Sequence, residues 1–256
     1  MKRRLFPIVL LIVALLFSAG AAMPKAMVTF YPVYKDIASH HMISNLDDYE
    51  IYDTAHFNIY HRENEDIKDI AKQAERSYRF ITDDMNYSPQ AKIDLLVFPN
   101  YETMDSFMGL KGENAEGAYK EGVLGVLSPS VTGGLDPGVI PHELTHLVVD
   151  DIAKGNYPIW FTEGVALLEE YRINGFLWGQ GVDEGKDRYT VAQLTDSFNE
   201  LDTDMAYKRS LDMIKGISDD KGYESLLKVI GYLGRGDDLK TALSEIGVGI
   251  NSLNNF

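Results

Sequence analysis

The sequence of 256 residues contains no cysteine. Disulfide bonds, a thiol nucleophile, thiolate metal ligands and lipid attachment to a cysteine are therefore all excluded. Any metal ion that this chain binds must be held by nitrogen and oxygen ligands. A metal site should then be sought among its histidine, aspartate and glutamate residues.

Positive charge is also scarce, with 24 lysine and arginine residues against 39 aspartate and glutamate residues and a formal net charge of −15. A surface for nucleic acid needs clustered lysine and arginine, so we expect no nucleic-acid partner. Low-complexity tracts and solenoid repeats are absent as well. With 45% hydrophobic residues, the chain can form one ordinary globular core or two small ones.

A long apolar run lies at the start of the chain. Residues 1–4 are Met-Lys-Arg-Arg, and residues 5–17 are apolar. Small residues follow, and Ala19-Gly20-Ala21 fits the pattern of a signal-peptide cleavage site. A basic start, an apolar centre and a small-residue end are together typical of a secretory signal peptide.

The same segment is also just long enough to span a bilayer, because no charged residue occurs between Arg4 and Lys25. We therefore expect residues 1–27 to be either a signal peptide or an N-terminal membrane anchor, with anchoring through residues 5–23. Both alternatives place the body of the protein outside the cytoplasm, secreted or anchored to the membrane.

Hydrophobic periodicity predicts strands and helices in the first half of the chain and helices alone in the second. Alternating or β-branched runs predict three strands, at 56–62, 91–100 and 121–130. Apolar residues at helical spacing predict helices at 65–85 and 101–110 and in most of the chain after residue 139.

This order favours an α+β fold over a parallel α/β sheet, because the strands stop at the midpoint. We expect a small mixed sheet with helices, followed by an all-helical C-terminal part. The connector would occupy residues 28–50 and the main domain residues 51–256. Within that domain, 51–152 would be the α/β part and 153–256 the helical part.

The strongest chemical signal is the segment His-Glu-Leu-Thr-His at residues 142–146. Residues four apart lie on one face of a helix, so His142 and His146 can direct two imidazole nitrogens at one point. Neutral imidazole is a good zinc ligand. Glu143 is rotated by about 100° from His142, which suits a general base acting on a water at the metal.

A catalytic zinc ion usually has three protein ligands and one open position. Glu163 is the best candidate for the third ligand, because it lies near the start of the next predicted helix, 17 positions after His146. Glu169 and Glu170 are alternatives about two turns further along that helix. Such a His₂Glu set would bind one zinc ion and match the ligands of thermolysin.

Together, His-Glu-Leu-Thr-His and Trp-Phe-Thr-Glu-Gly-Val-Ala at 160–166 resemble the gluzincin group of zinc metallopeptidases, in particular the bacterial peptidase-MA-like domains. The resemblance implies a zincin-like fold with the active-site helix between the two parts. It also implies His142, His146 and Glu163 as zinc ligands and Glu143 as catalytic base. Tyr207, in Ala-Tyr-Lys-Arg-Ser, would be a catalytic hydroxyl that stabilises the oxyanion.

The sequence departs from the gluzincin pattern at several points. The acid expected four positions after the third ligand is Leu167 here, so Asp150 or Asp151 would have to orient the histidines. Pro141 directly precedes His142, which requires a kink or a late helix start. The amine-binding signature of the aminopeptidases is missing, which favours an endopeptidase.

We therefore expect an extracytoplasmic zinc metallopeptidase that hydrolyses peptides or proteins. The alternative is a non-catalytic binding or scaffold protein, anchored to the membrane, on the same fold. The presence of all four residues of the predicted zinc site favours the enzyme. Two further apolar stripes, around Leu226 and Leu243, are expected to be core.

Overall fold

The structure, a computed structural model, describes residues 23–44, 46, 48–62, 67–110, 115–182 and 188–256. It divides into two compact units. One unit comprises residues 35–148 and 172–174. The other comprises residues 149–171 and 175–256 together with the N-terminal residues up to Tyr34.

A five-stranded mixed sheet forms the centre of the first unit. Its strands are β1 (Glu50–Asp53), β2 (Phe57–His61), β3 (Ile93–Phe98), β4 (Gly117–Lys120) and β5 (Val123–Leu127), in the spatial order β1-β2-β3-β5-β4. The three inner strands are parallel, whereas β1 and β4 pair antiparallel at the two edges. The predicted mixed sheet is therefore confirmed.

The helices up to residue 153 are α1 (Met23–Ile43), α2 (Lys68–Asp84), α3 (Tyr101–Met108), α4 (Pro129–Thr132) and α5 (Val139–Ala153). Helix α2 buries the apolar face that its periodicity predicts, including Ile70, Ala74 and Ile81. In the middle of α2, Tyr78 stacks on the ring of His56, whose Nδ1 lies 2.7 Å from a carboxylate oxygen of Glu75.

Two edge strands, helix α1 and the short helix α4 were not predicted. Strands β1 and β4 have four residues each and no simple alternation of apolar residues. Helix α1 occupies most of the predicted connector at 28–50 and includes Pro32. Beyond these, the predicted strands and helices of the α/β part form, with ends that coincide with the prediction or are shorter by up to three residues.

After residue 153 the described residues form helices and connecting loops but no strand, as predicted. Its helices are α6 (Ile159–Asn174), α7 (Val191–Ser197), α8 (Thr203–Lys221), α9 (Tyr223–Leu233) and α10 (Leu239–Ser244), with short 3₁₀ turns at Phe198–Glu200 and Ile250–Asn255. Leu226 and Leu243 are fully buried, so their stripes are core.

The predicted signal or anchor segment at residues 1–27 lies outside the described residues except for its last five. Within the part of the chain that the structure describes, no helix has the length and apolar content needed to cross a membrane.

Candidate metal centre

The helix that carries the two histidines begins at Val139. Asp136 accepts the backbone N–H of Gly138 at 2.7 Å, so Asp136 and Pro137 form the preceding turn and not the first helical turn. Pro141 is then the third residue of α5. Its missing N–H is one of the first four that have no partner within a helix, so no kink is required.

His142 and His146 lie one turn apart on α5. Their ring centroids are 4.8 Å apart, and the ring planes are inclined by 77°. The N–H of His142 donates to the carbonyl of Gly138 at 3.0 Å, which closes the first turn in front of the histidine. His146 is only 7% exposed, so its imidazole needs a partner within the protein or a bound ion.

Glu143 lies against the edge strand β4. A Cβ atom on Gly117, the first residue of that strand, would be 2.7 Å from Oε1 of Glu143 and 2.6 Å from Cγ1 of Val139. These distances are far below van der Waals contact, so β4 approaches α5 as closely as it does only because residue 117 has no side chain. Glu143 is 7% exposed. Its carboxylate is therefore confined by the strand and is not free to move in solvent.

Tyr119 lies two positions further along β4 and therefore on the same face of the sheet as Gly117. Its ring is nearly parallel to the imidazole of His146, with centroids 6.4 Å apart and planes inclined by 25°. The hydroxyl of Tyr119 accepts the N–H of Gly122 at 3.1 Å, and Nζ of Lys35 lies 5.5 Å from its ring centroid. Neither Gly117 nor Tyr119 was singled out from the sequence.

Glu163 is the fifth residue of α6, which begins after Pro158. It therefore lies in the second turn, where the helix dipole favours a negative charge much less than in the first turn. An interaction with the helix N-terminus therefore does not explain its position. Close packing fixes this part of the helix. Trp160 is fully buried and donates from Nε1 to Thr195 at 3.0 Å, and a Cβ atom on Gly164 would collide with the carbonyl oxygen of Ser210.

The structure brings three of the predicted residues together. One ligand atom from each of His142, His146 and Glu163 lies within 4.8 Å of the others, so the three could hold one metal ion. The donors are two imidazole nitrogens and one carboxylate oxygen, a set that zinc accepts. Among the described residues, neither Glu169 nor Glu170 belongs to such a group.

Asp150 follows His146 by one further turn of α5 and is fully buried. Its Oδ1 accepts the hydroxyls of Tyr31 at 2.7 Å and of Tyr157 at 2.9 Å. Burial, followed by the negative charge of Asp150 and smaller contributions that include Glu163, raises the pKa of Tyr157 well above its ordinary value. Tyr157 therefore stays protonated and donates to Asp150. The predicted role of Asp150 or Asp151 in orienting the histidines stays a prediction.

Tyr207 lies on α8, where its ring contacts Trp178 and Phe198 with centroid separations of 5.9 and 5.6 Å. The same helix is anchored by the buried guanidinium of Arg209. Arg209 donates to backbone carbonyls at Tyr189 and in the C-terminal segment, where the acceptors are Leu253, Asn254 and Phe256. The catalytic role of Tyr207 stays a prediction.

Comparisons with known proteins identify the type of fold but no family. No family model matches the sequence, and no curated protein matches it significantly. The structure is similar to that of a mutant M1 zinc metallopeptidase from Deinococcus radiodurans, with a TM-score of 0.54 and 13% sequence identity. The match covers 79% of this chain and 49% of that one, so this chain spans about half its length. The chain thus has a zinc-peptidase-like fold.

Proposed function

We propose that this protein is a zinc-dependent peptidase in which His142, His146 and Glu163 hold one zinc ion. The observation that carries the proposal is the convergence of their three ligand atoms within 4.8 Å. The fold adds support, because the structural neighbour from Deinococcus radiodurans is described as a zinc metallopeptidase. The absence of cysteine adds more, because nitrogen and oxygen ligands are the only strong ones this chain offers.

The donor set fits zinc better than the common alternatives. Magnesium and calcium prefer sites made of oxygen ligands, whereas two imidazoles favour zinc or a neighbouring transition metal. Three protein ligands also leave one position for water or substrate, as in catalytic zinc sites. When bound, zinc would lower the pKa of its water towards 7 and polarise the carbonyl group of the substrate.

Residues of this chain would then carry out the proton transfers and stabilise the negative charge that develops on the substrate. Glu143 would accept a proton from the attacking water and deliver it to the nitrogen of the leaving amine as the peptide bond breaks. Tyr207 would donate a hydrogen bond to the oxyanion. An extended peptide would pair with β4 through backbone hydrogen bonds, because β4 is an edge strand that lies against the helix carrying Glu143.

We further propose that the enzyme is an endopeptidase acting on peptides or proteins outside the cytoplasm. The absence of the aminopeptidase signature supports the first part. The basic and apolar pattern of residues 1–27 supports the second, through either secretion or membrane anchoring by residues 5–23. The net charge of −15 supports the expectation that no nucleic acid is bound.

Elemental analysis of the full chain tests the metal assignment. We expect one zinc per chain in the wild type and a loss of at least about tenfold in zinc affinity in Glu163→Ala. Glu170→Ala, on the same helix and outside the metal group, is the matched control and should bind like the wild type. A wild-type chain that takes up no added zinc would contradict the peptidase and favour a binding protein on this fold. Zinc retained unchanged in Glu163→Ala would exclude Glu163 as the third ligand.

A further inference from the structure

The edge strand β4 contacts the metal-binding helix through alternate residues. Gly117 meets Val139 and Glu143, and Tyr119 meets His146 one turn further along the helix. The intervening Ala118 belongs to the core cluster that also contains Leu96 and Phe98. Strand β4 is therefore fixed from behind by the core while its other face touches α5. A strand held in this way can fix the position of the side chains in front of it.

We propose that Tyr119 is a positioning residue that holds the imidazole of His146 in the orientation needed to bind the metal. The proposal rests on the function proposed above. His146 is buried and its ring is offset-parallel to that of Tyr119 at 6.4 Å, within the range in which aromatic pairs attract each other. The ring of Tyr119 therefore restricts the rotation of the imidazole about its side-chain bonds.

Tyr119 is itself held by groups other than the histidine. Its hydroxyl accepts the N–H of Gly122 in the turn between β4 and β5, where a φ of 93° places Gly122 in the region that favours glycine. The ammonium of Lys35, at 5.5 Å, attracts the ring through a cation–π interaction. Aliphatic carbons of the Lys35 side chain also lie against Gly122, where an added Cβ would be 3.0 Å from Cε. The aromatic ring thus has a fixed position before any metal binds.

A ligand with a fixed orientation binds metal more tightly, because the protein does not have to order it on binding. Loss of the ring should therefore weaken zinc binding without removing a ligand. The hydroxyl should matter less, because the contact with His146 is made by the ring. This difference between ring and hydroxyl distinguishes a positioning role from a hydrogen bond to the metal centre.

The test is a zinc titration of the full chain against a competing chelator, with Tyr119→Leu and Tyr119→Phe. We expect Tyr119→Leu to raise the zinc Kd by about tenfold or more and Tyr119→Phe to change it by less than about threefold. Tyr52→Leu is the matched control, because Tyr52 lies on the opposite edge strand β1 and is 41% exposed. Circular dichroism and the thermal midpoint of the metal-free chains establish that each variant is folded.

The outcomes separate this proposal from the function on which it rests. No zinc binding by the wild type would overturn the proposed metal centre. Wild-type affinity in a folded Tyr119→Leu would overturn the positioning role alone, as would equal weakening in Tyr119→Leu and Tyr119→Phe. If Tyr119→Leu does not fold, Tyr119→Val is compared in its place, because β-branched residues suit a strand. Failure of both to fold would assign Tyr119 to sheet stability and overturn the proposal.

Discussion

Two glutamates of the candidate site differ in what their carboxylates can do. Glu163 converges with the imidazole nitrogens, as a metal ligand must. Glu143 follows His142 directly, so it points about 100° around the helix from that imidazole. It is also buried against Gly117. A confined carboxylate next to His142, but on a different side of the helix, suits the proposed proton transfer better than metal binding.

Replacement of Glu143 by glutamine tests this division of roles at the scale of one residue. The amide keeps the shape of the carboxylate but cannot accept the proton, so we expect peptide hydrolysis to fall by about 10²–10⁴-fold. Zinc content should stay at the wild-type level. The measurements are cleavage of a mixed peptide library followed by mass spectrometry, and elemental analysis of the same samples.

Glu102→Gln is the matched control, because Glu102 is exposed on α3 and lies outside the metal group. It should leave both cleavage and zinc content unchanged. Undiminished cleavage by Glu143→Gln would exclude Glu143 as the base. Loss of zinc from Glu143→Gln would instead show that this residue supports the metal.

The three residues that could hold a metal ion were named from sequence, whereas the strand residues that pack against the histidine helix were not. Two histidines four apart converge for reasons of helix geometry alone, so a local pattern is sufficient to predict them. Gly117 and Tyr119 act across the boundary between a strand and a helix that is more than 20 residues later in the chain. Such a contact depends on strand pairing, which no local spacing encodes.

At the scale of secondary structure, prediction succeeded where one face is clearly apolar and failed at the edges. Helix α2 has a continuous buried stripe, and β3 is buried along most of its length. By contrast, all four residues of β1 are exposed, and β4 begins with a glycine. Edge strands have only one neighbour, so their sequences carry a weaker apolar pattern than those of inner strands.

Helix α6 carries a further constraint, at the glycine that follows Glu163. A Cβ atom on Gly164 would lie 2.5 Å from Cγ1 of Ile214 and would also collide with the carbonyl oxygen of Ser210 on α8. Backbone atoms cannot move aside as a flexible side chain can. We therefore expect Gly164→Ala to destabilise the protein by about 1–3 kcal/mol, measured as a lower midpoint of urea unfolding.

Gly231 on α9 is the matched control for this substitution. It also lies inside a helix, but nothing lies within 4 Å of the position that a Cβ would take. Alanine there should stabilise the protein by about 0.5–1 kcal/mol, because glycine loses more conformational freedom when a helix forms. Destabilisation by both substitutions, or by neither, would contradict the close approach of α6 and α8 at Gly164.

For the whole molecule, the order of strands and helices indicated the fold class, while the arrangement of the sheet had to come from the structure. The predicted strands stop at the midpoint of the sequence, and this order predicted an α+β fold with a helical second half. It did not predict which strands lie at the edges. That distinction matters for the proposed peptide binding, because only an edge strand such as β4 can pair with an added strand.

Metal binding should also affect the stability of the whole molecule. A ligand that binds only the folded state stabilises it by about 2.7 kcal/mol at a free concentration of 100 times its Kd. For a chain of this size, that corresponds to a rise of roughly 5–10 °C in Tm. We expect this rise when zinc is added to the metal-free wild type, and its reversal by a chelator, measured by differential scanning fluorimetry.

His146→Ala supplies the comparison, because it removes one of the two imidazole ligands. The substitution should itself change the Tm of the metal-free protein. We therefore compare the change in Tm that zinc causes in each chain. That shift should be nearly abolished in the variant. Magnesium should shift neither chain, because it prefers octahedral oxygen ligands. An equal zinc-induced shift in both chains would mean that zinc stabilises the fold from another site.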